Sequence, residues 1–443
     1  MPVLKAGNTL GVVFFPAFDW SISPTHPERQ ERLLYTMDQL KEEGVFDTEG
    51  ITEFKPEVAT FEDVERTHFC FPGPGEVLTD SHLIAAGGAI KASDLVLGGT
   101  KKKSFALVRP PGHHAMKVVH GNRGFCSVNN EAVMIERLRD HYGVRRVAVV
   151  DTDCHHGDGT QDIYWHDPDT LFISLHQDGR TLFPGSGFPN ELGGPQAAGT
   201  TINIPLPPGT SDTGILHVLD NLILPMIEDF KPELVINSAG QDNHYTDPLT
   251  DMNFSAQGYA ELSRRLDPDI AVLEGGYAIQ GALPYVNLGI VLALAGMDFS
   301  HVREPDYDPG RIRQSRQIDD YLPKLCEAIL EIYHHPPDKL ISREKQGGWW
   351  VRSKEIFYDT DGIRDRQKEY VRVCGECMGL LKVETSSSRL SGCLGIEVPR
   401  QACESCRDHG QQELRRARES GSYQNIQLID RPGRRSERFT QGE

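Results

Sequence analysis

The chain has 443 residues, 38% of them hydrophobic and 25% charged, with a formal net charge of −18. That length holds one large α/β domain with something smaller, or two to three ordinary domains, and the composition is that of a folded chain, not a disordered one. The acidic balance argues against a nucleic-acid-binding surface and suits a cationic substrate. No apolar run reaches the roughly 20 residues that span a bilayer, and the opening MPVLKAGNTLGVVFFPAFDW lacks a secretory-signal pattern.

From about residue 80 to 300, short β-branched runs alternate with helical stretches. In chain order the pattern predicts a helix over Asp80 to Leu97, a strand at SFALV (104–108), and a helix from Asn130 to Tyr142. Asn129 is its expected N-cap and Gly143 its terminator. Strands follow at RRVAVV (145–150) and TLFISL (170–175), then a helix from Asp212 to Phe230 and a strand at ELVIN (233–237). A helix from Ser255 to Leu266 leads to a strand at DIAVL (269–273), and LGIVLALAG near residue 290 reads as a buried helix. The strands are nearly continuous apolar runs, as parallel strands covered on both faces require. Alternation of this kind predicts a doubly wound parallel sheet flanked by helices, here over residues 1–345. RIRQSRQIDDYLPKLCEAILEIYHH then reads as an amphipathic helix ended by Pro336 and Pro337, and GGWWVRSKEIFYD as a mixed aromatic and polar stretch. From about Gln411 the chain is polar and arginine-rich, and the expectation for 411–443 is a short helix fading into a disordered tail.

The chemistry is positional. SFALV leads into Arg109-Pro110-Pro111-Gly112-His113-His114, and RRVAVV into Asp151-Thr152-Asp153-Cys154-His155-His156-Gly157-Asp158. ELVIN leads into Ser238-Ala239-Gly240-Gln241-Asp242, and DIAVL into Glu274-Gly275-Gly276-Tyr277. Ligands of open α/β sheets bind outside the carboxyl ends of the strands, so four such loops converge on one site. A single Asp or His in such a loop is most often a cap or a turn former; four polar loops at one rim are not. Asp153 and His155 alternate on an extended segment and point to one side. Both are zinc ligand types, and a catalytic zinc takes three protein ligands, which makes Asp242 the natural third.

RPPGHHA, GFCSVNNEA, DTDCHHGDG, LFPGSG and EGGY, in that order, with HPERQERL near the N-terminus, resemble the motif set of the histone deacetylase superfamily, which includes bacterial deacetylases and acetylpolyamine amidohydrolases. The resemblance spans about residues 10–300. It implies an arginase/deacetylase-like fold and zinc-dependent hydrolysis of acetyl-lysine in proteins or peptides; acetylpolyamines are the alternative substrates, and a non-catalytic acetyl-lysine reader the less favoured one. It implies zinc on Asp153, His155 and Asp242, with His114 as general base beside His113. Asp151 would orient His113, and Asp158 would orient His114. Tyr277 would donate to the substrate carbonyl, while Gly124, Phe125 and Phe183 line a narrow channel and Arg32 lies behind its acetate end. It further implies a potassium ion held by Asp151, Asp153 and Ser174 and by the carbonyls of His155 and Leu175. For the acidic rim residue, Glu76 and Asp80 are both candidates. The residues suit the chemistry: a tyrosine hydroxyl aids an oxyanion, and Gly275 and Gly276 free the loop that swings it inward.

Of the nine cysteines, Cys374, Cys377, Cys393, Cys403 and Cys406 crowd the C-terminal part. Two C-x-x-C pairs flanking a Ser- and Gly-rich stretch predict a second, structural zinc on Cys374, Cys377, Cys403 and Cys406, in a zinc-ribbon-like module over 346–410. Cys393 is a spare ligand candidate. The odd cysteine count, the two C-x-x-C pairs and the absent secretory signal favour a reducing compartment, and the cytoplasm is expected. No direct nucleic-acid or membrane contact is expected; a homo-oligomer or a protein partner held through the module is left open.

Overall fold

The computed structural model describes residues 4–18, 20–305, 307–336, 345–346 and 348–441. Its first part runs through β1 (Lys5–Phe15), β2 (Glu49–Phe54), β3 (Phe69–Cys70), β4 (Lys103–Val108), β5 (Val118–Val119), β6 (Val147–Asp151), β7 (Thr170–Gln177), β8 (Thr201–Leu206), β9 (Leu234–Ala239) and β10 (Ile270–Leu273). Eight of these form one sheet in the order β2-β1-β4-β10-β9-β6-β7-β8. Every pairing in it is parallel, so all strands end on the same edge. Alternate residues of one strand enter cores on opposite faces: Leu107, Val150 and Leu273 pack on one side, and Val108, Val149 and Val272 on the other. That is the two-sided burial predicted by the uninterrupted apolar runs.

The helices Asp80–Leu97 and Asn130–Tyr142 lie where expected. Asn129 Oδ1 accepts from the Ala132 amide at 2.8 Å, and Gly143 ends the helix at φ 72°. The predicted helix from Asp212 to Phe230 is broken by a π-turn, Leu219–Ile223. Pro225 follows directly; it has no N–H to give the helical ladder, and the extra residue takes up the mismatch. Arg316–His334 forms the amphipathic helix, starting at the Ser315 cap and ending before Pro336. Pro337 lies outside the described residues.

The C-terminal part is larger than expected. Strands β11 (Lys345–Gln346), β12 (Trp349–Tyr358), β13 (Ile363–Arg372), β14 (Leu380–Ser387), β15 (Cys393–Val398), β16 (Asn425–Asp430) and β17 (Arg435–Thr440) form a second sheet in sequence order. The helix Glu404–Ser420 packs on it through Cys406, Leu414 and Ala417. Residues 411–443 are therefore not a helix with a disordered tail: within 411–441 the helix continues to Ser420, and β16 and β17 complete the sheet. Cys393 is not a spare ligand, because it is buried in the core that the C-terminal sheet shares with Phe69, Phe71 and Val118 of the β3–β5 segment.

This sheet is fused to the first part. Phe69, Phe71 and Val118 share a core with Trp350, Val371, Leu381, Val383 and Ile429, and Met116 shares another with Ile356, Tyr358 and Ile363. The Phe69 ring lies where a side chain on residue 395 would stand, 2.6 Å from an added Cβ, so Gly395 is needed for the contact. Polar groups cross the seam too. Lys117 meets Glu397 at 2.5 Å, Arg400 meets Asp140 at 2.6 Å, and the Cys70 amide donates to Gln427 Oε1 at 3.0 Å.

Candidate active site

Because the sheet is parallel, Val108, Asp151, Ala239 and Leu273 deliver their following loops to one rim. There Asp153, His155 and Asp242 bring three ligand atoms within 4.8 Å of one another. His155 Nδ1 lies 3.1 Å from Asp153 Oδ1 and 2.9 Å from Asp242 Oδ2. Backbone amides hold both carboxylates from behind: Gly275 donates to Asp153 Oδ2 at 2.8 Å and Cys154 to Asp242 Oδ1 at 2.7 Å. Burial and the Asp153 charge raise the Asp242 carboxyl above its ordinary value. Two buried carboxylates facing one imidazole are a poor arrangement without a cation and a suitable one for zinc.

Above them stands the histidine pair, with ring centroids 4.1 Å apart. His113 Nδ1 is 3.0 Å from Asp151 Oδ2, and His114 Nδ1 is 2.7 Å from Asp158 Oδ1. Burial opposes a charge on His113, but Asp153 and Asp151 outweigh it and lift its pKa to about 9. Burial lowers His114, His113 adds to the effect, and the ring falls to about 3 against the pull of Asp158.

The Glu274–Tyr277 loop closes one side. A Cβ on Gly275 would stand 2.5 Å from Asp242 Oδ2, and Gly276 has φ +121°, so both glycines are needed for the loop to back onto the ligands. Burial raises the Tyr277 hydroxyl well above its ordinary value and keeps it a donor. The Tyr277 ring meets the Phe125 edge at 5.8 Å, and Phe183 meets His114 at 5.1 Å, so the two phenylalanines flank different sides of the site. Gly124 packs on His114, where a Cβ would fall 2.4 Å from the ring.

Arg32 lies deep behind the Tyr277 loop. It is fully buried, and its guanidinium donates to the carbonyls of Gly276 (2.7 Å) and Glu274 (2.5 Å) and to Glu28 (2.5 Å), lying 4.9 Å from the Tyr277 ring. It holds the tyrosine loop from behind. Ser174 stands in register opposite Asp151, with its Oγ 2.9 Å from His176 Nδ1, and Leu175 follows it on β7. Glu76 and Asp80 are both exposed. His244 is buried against Glu304 at 3.3 Å.

Sequence reasoning missed several supports. Glu28 bridges Arg32 and Arg109, and Glu274 Oε2 accepts from the amides of Gly112 (2.7 Å) and His113 (3.0 Å). Asp247 accepts from the Tyr277 amide at 2.7 Å. Arg123 grips Asp158 Oδ2 through Nε (2.9 Å) and Nη2 (2.6 Å). Glu28 and Arg109 lie inside the quoted motifs and were open to reading; Arg123 and Asp247 had no local signal.

In the C-terminal part, Cys374 and Cys377 on the β13–β14 loop meet Cys403 and Cys406 at the start of the C-terminal helix, with all four sulfurs within 4.8 Å. Cys374 and Cys403 Sγ are 3.9 Å apart. A tetrahedron with Zn–S bonds of ~2.3 Å has an edge of about 3.8 Å. The Glu376 amide, donating to Cys374 Sγ, holds that thiol down at about 7.

Comparison with known proteins agrees with this geometry. The family description "Histone deacetylase domain" matches residues 75–288, ending before the C-terminal sheet. A protein of Archaeoglobus fulgidus named "Probable deacetylase" is 45% identical over 352 residues, covering 73% of this chain and 96% of its own. The "Histone deacetylase-like amidohydrolase" of Pseudomonas aeruginosa is 36% identical over 55% of this chain and 64% of its own length. "Acetoin utilization protein AcuC" of Bacillus subtilis is 29% identical over 75% of this chain and 93% of its own. The solved "HDA15 HD domain" superposes with a TM-score of 0.64 at 26% identity, covering 74% of this chain and 97% of that one. The chain belongs to the histone deacetylase superfamily and is a deacetylase or amidohydrolase of that kind.

Proposed function

We propose that the chain hydrolyses the acetamide of acetyl-lysine in a protein or peptide, releasing acetate and the free amine. The observation that carries the reading is the convergence of Asp153, His155 and Asp242 beneath the carboxylate-held pair His113 and His114, beside the Tyr277 loop. The three ligands would hold zinc, which would supply Lewis acidity toward the amide carbonyl.

The chain's own groups do the rest. With Nδ1–H of His114 donated to Asp158, its Nε2 carries the lone pair that takes a proton from water and returns it to the leaving nitrogen. His113, its Nδ1 held by Asp151, stands beside it and stabilises developing negative charge. The Tyr277 hydroxyl donates to the developing oxyanion. Phe125 and Phe183 exclude water from the four-methylene stem of the substrate. Asp151, Asp153 and Ser174, with the carbonyls of His155 and Leu175, would hold potassium, and the four cysteines a structural zinc. All nine cysteines are unpaired, which supports the cytoplasm. No helix among the described residues is long and apolar enough to cross a membrane.

Hydrolysis of small acetylated amines by the same site is the second reading; the net charge of −18 suits a cationic substrate of either kind. Steady-state rates on an acetyl-lysine peptide and on N-acetylputrescine separate the two. A higher kcat/KM on the peptide supports the proposal; a higher one on acetylputrescine replaces it.

A further inference from the structure

The loop that carries Gly124 and Phe125 is held in place by the C-terminal sheet. The turn between β12 and β13, Asp359-Thr360-Asp361-Gly362, lies directly on it. Asp359 Oδ1 accepts from the Gly124 amide at 2.9 Å, and Asp361 Oδ2 from the Asn122 amide at 2.6 Å. The Phe357 carbonyl accepts from Arg123 Nη1 at 2.5 Å. Gly121 has no side chain where the turn descends; a Cβ there would stand 2.6 Å from Asp361 Oδ2 and 2.9 Å from Ile363. The turn itself is anchored, because Tyr358 is buried and donates to the Val118 carbonyl at 2.6 Å.

Arg123 is the link to chemistry. Its Nε and Nη2 hold Asp158 Oδ2, while the other oxygen of the same carboxylate holds His114 Nδ1. The guanidinium carbon also lies 5.1 Å from the Phe183 ring, on a wall of the channel. One arginine thus ties the C-terminal turn, the base-holding carboxylate and the channel together. Next to it, Gly124 (φ +52°) packs on the His114 ring. A side chain this close to a reacting centre loses about 10²-fold in rate for an ångström of misplacement.

We propose that the β12–β13 turn belongs to the active site as a positioning element: Phe357, Asp359 and Asp361 set Arg123 and Gly124, and through them the His114–Asp158 pair and the channel wall. The proposal rests on the catalytic reading of that site given above.

The test replaces Asp359 by Ala, by Asn, whose amide oxygen still accepts from Gly124, and Asp361 by Ala; Thr360→Ala is the control. Hydrogen exchange by mass spectrometry reads the 118–128 segment, and steady-state kinetics on an acetyl-lysine peptide read turnover. Asp359→Ala and Asp361→Ala should speed exchange in 121–126 and lower kcat about tenfold or more, with KM changing less. Asp359→Asn should restore most of the turnover, and Thr360→Ala should match the unmodified protein. A folded Asp359→Ala or Asp361→Ala protein with kcat within about twofold of the original, or with unchanged exchange in that segment, overturns the proposal. If the unmodified protein hydrolyses no acetyl-lysine peptide, the functional reading fails instead, and exchange alone decides whether the turn sets the loop.

Discussion

A chain ending at residue 345 should lose its cooperative fold, because the cut uncovers the core that the β3–β5 segment shares with the C-terminal sheet. Phe69, Phe71, Val118 and Met116 are 0%, 1%, 1% and 4% exposed in the whole chain. Each fully buried side chain of this kind contributes ~1.5–3 kcal/mol, so uncovering all four costs about 6 kcal/mol at the low end. A domain's net stability is only ~5–15 kcal/mol. A milder version is Phe69→Ala, which opens a cavity against Gly395 and should cost ~3–5 kcal/mol. Urea unfolding followed by circular dichroism measures both, with binding of a hydrophobic dye as a second reading. The truncated chain should bind dye and unfold without a sharp transition, and Phe69→Ala should lower the extrapolated unfolding free energy by the stated amount. A truncated chain that unfolds like the full one, together with a Phe69→Ala loss below ~1 kcal/mol, would refute a core shared between β3, β5 and the C-terminal sheet.

Tyr277→Phe should lower kcat by ~10²–10³ while KM changes little, since its hydroxyl acts on the oxyanion more than on the ground state; unchanged turnover would remove the tyrosine from the mechanism. Replacing Cys403 and Cys406 together by Ser should cost one zinc per chain by metal analysis and loosen β13, β14 and the C-terminal helix, because two thiolates cannot close the site. Equal zinc in both proteins would turn the cysteines into redox pairs. Buried His68 is depressed to about 4 by burial, with its ring held between the Met116 carbonyl and the Asn129 amide. The unfolded chain takes that proton near pH 6.5 and the folded chain does not, so stability is lost as pH falls from 6.5 to 4, by about 2 kcal/mol at pH 5. His68→Gln should flatten that part of the pH–stability curve; an unchanged slope counts against the buried neutral ring.

The parallel sheet and its rim were legible because β4, β6, β9 and β10 are unbroken apolar runs that end in polar loops, and register then delivers those loops together. Strand β1 was not, since its first half, KAGNT, is half-exposed and polar and only the second half packs. Strand β8 carries Asn203 and Pro205, which weaken its pattern although both are buried. The sheet at the C-terminus hid for a different reason. Gln427 is fully buried in β16, satisfied by Cys70 and the His68 carbonyl more than 350 residues away in sequence. Such partners give no local signal, and RSERFT without them reads as a solvated tail. Arg123 illustrates the same limit at the site: its meaning lies in Asp158 and Phe357, which only the tertiary structure brings to it. The cluster of Asp153, His155 and Asp242, in contrast, needed only strand ends and spacing.

The central claim is that one metal held by Asp153, His155 and Asp242 supports hydrolysis of an acetyl-lysine amide. Zinc content and acetate release, measured together on the unmodified protein and on Asp242→Ala, test it directly. The account predicts that the unmodified protein releases acetate from the peptide, and that Asp242→Ala loses both the catalytic zinc and the turnover while keeping the zinc of the four cysteines. An Asp242→Ala protein with full zinc and normal turnover would contradict it.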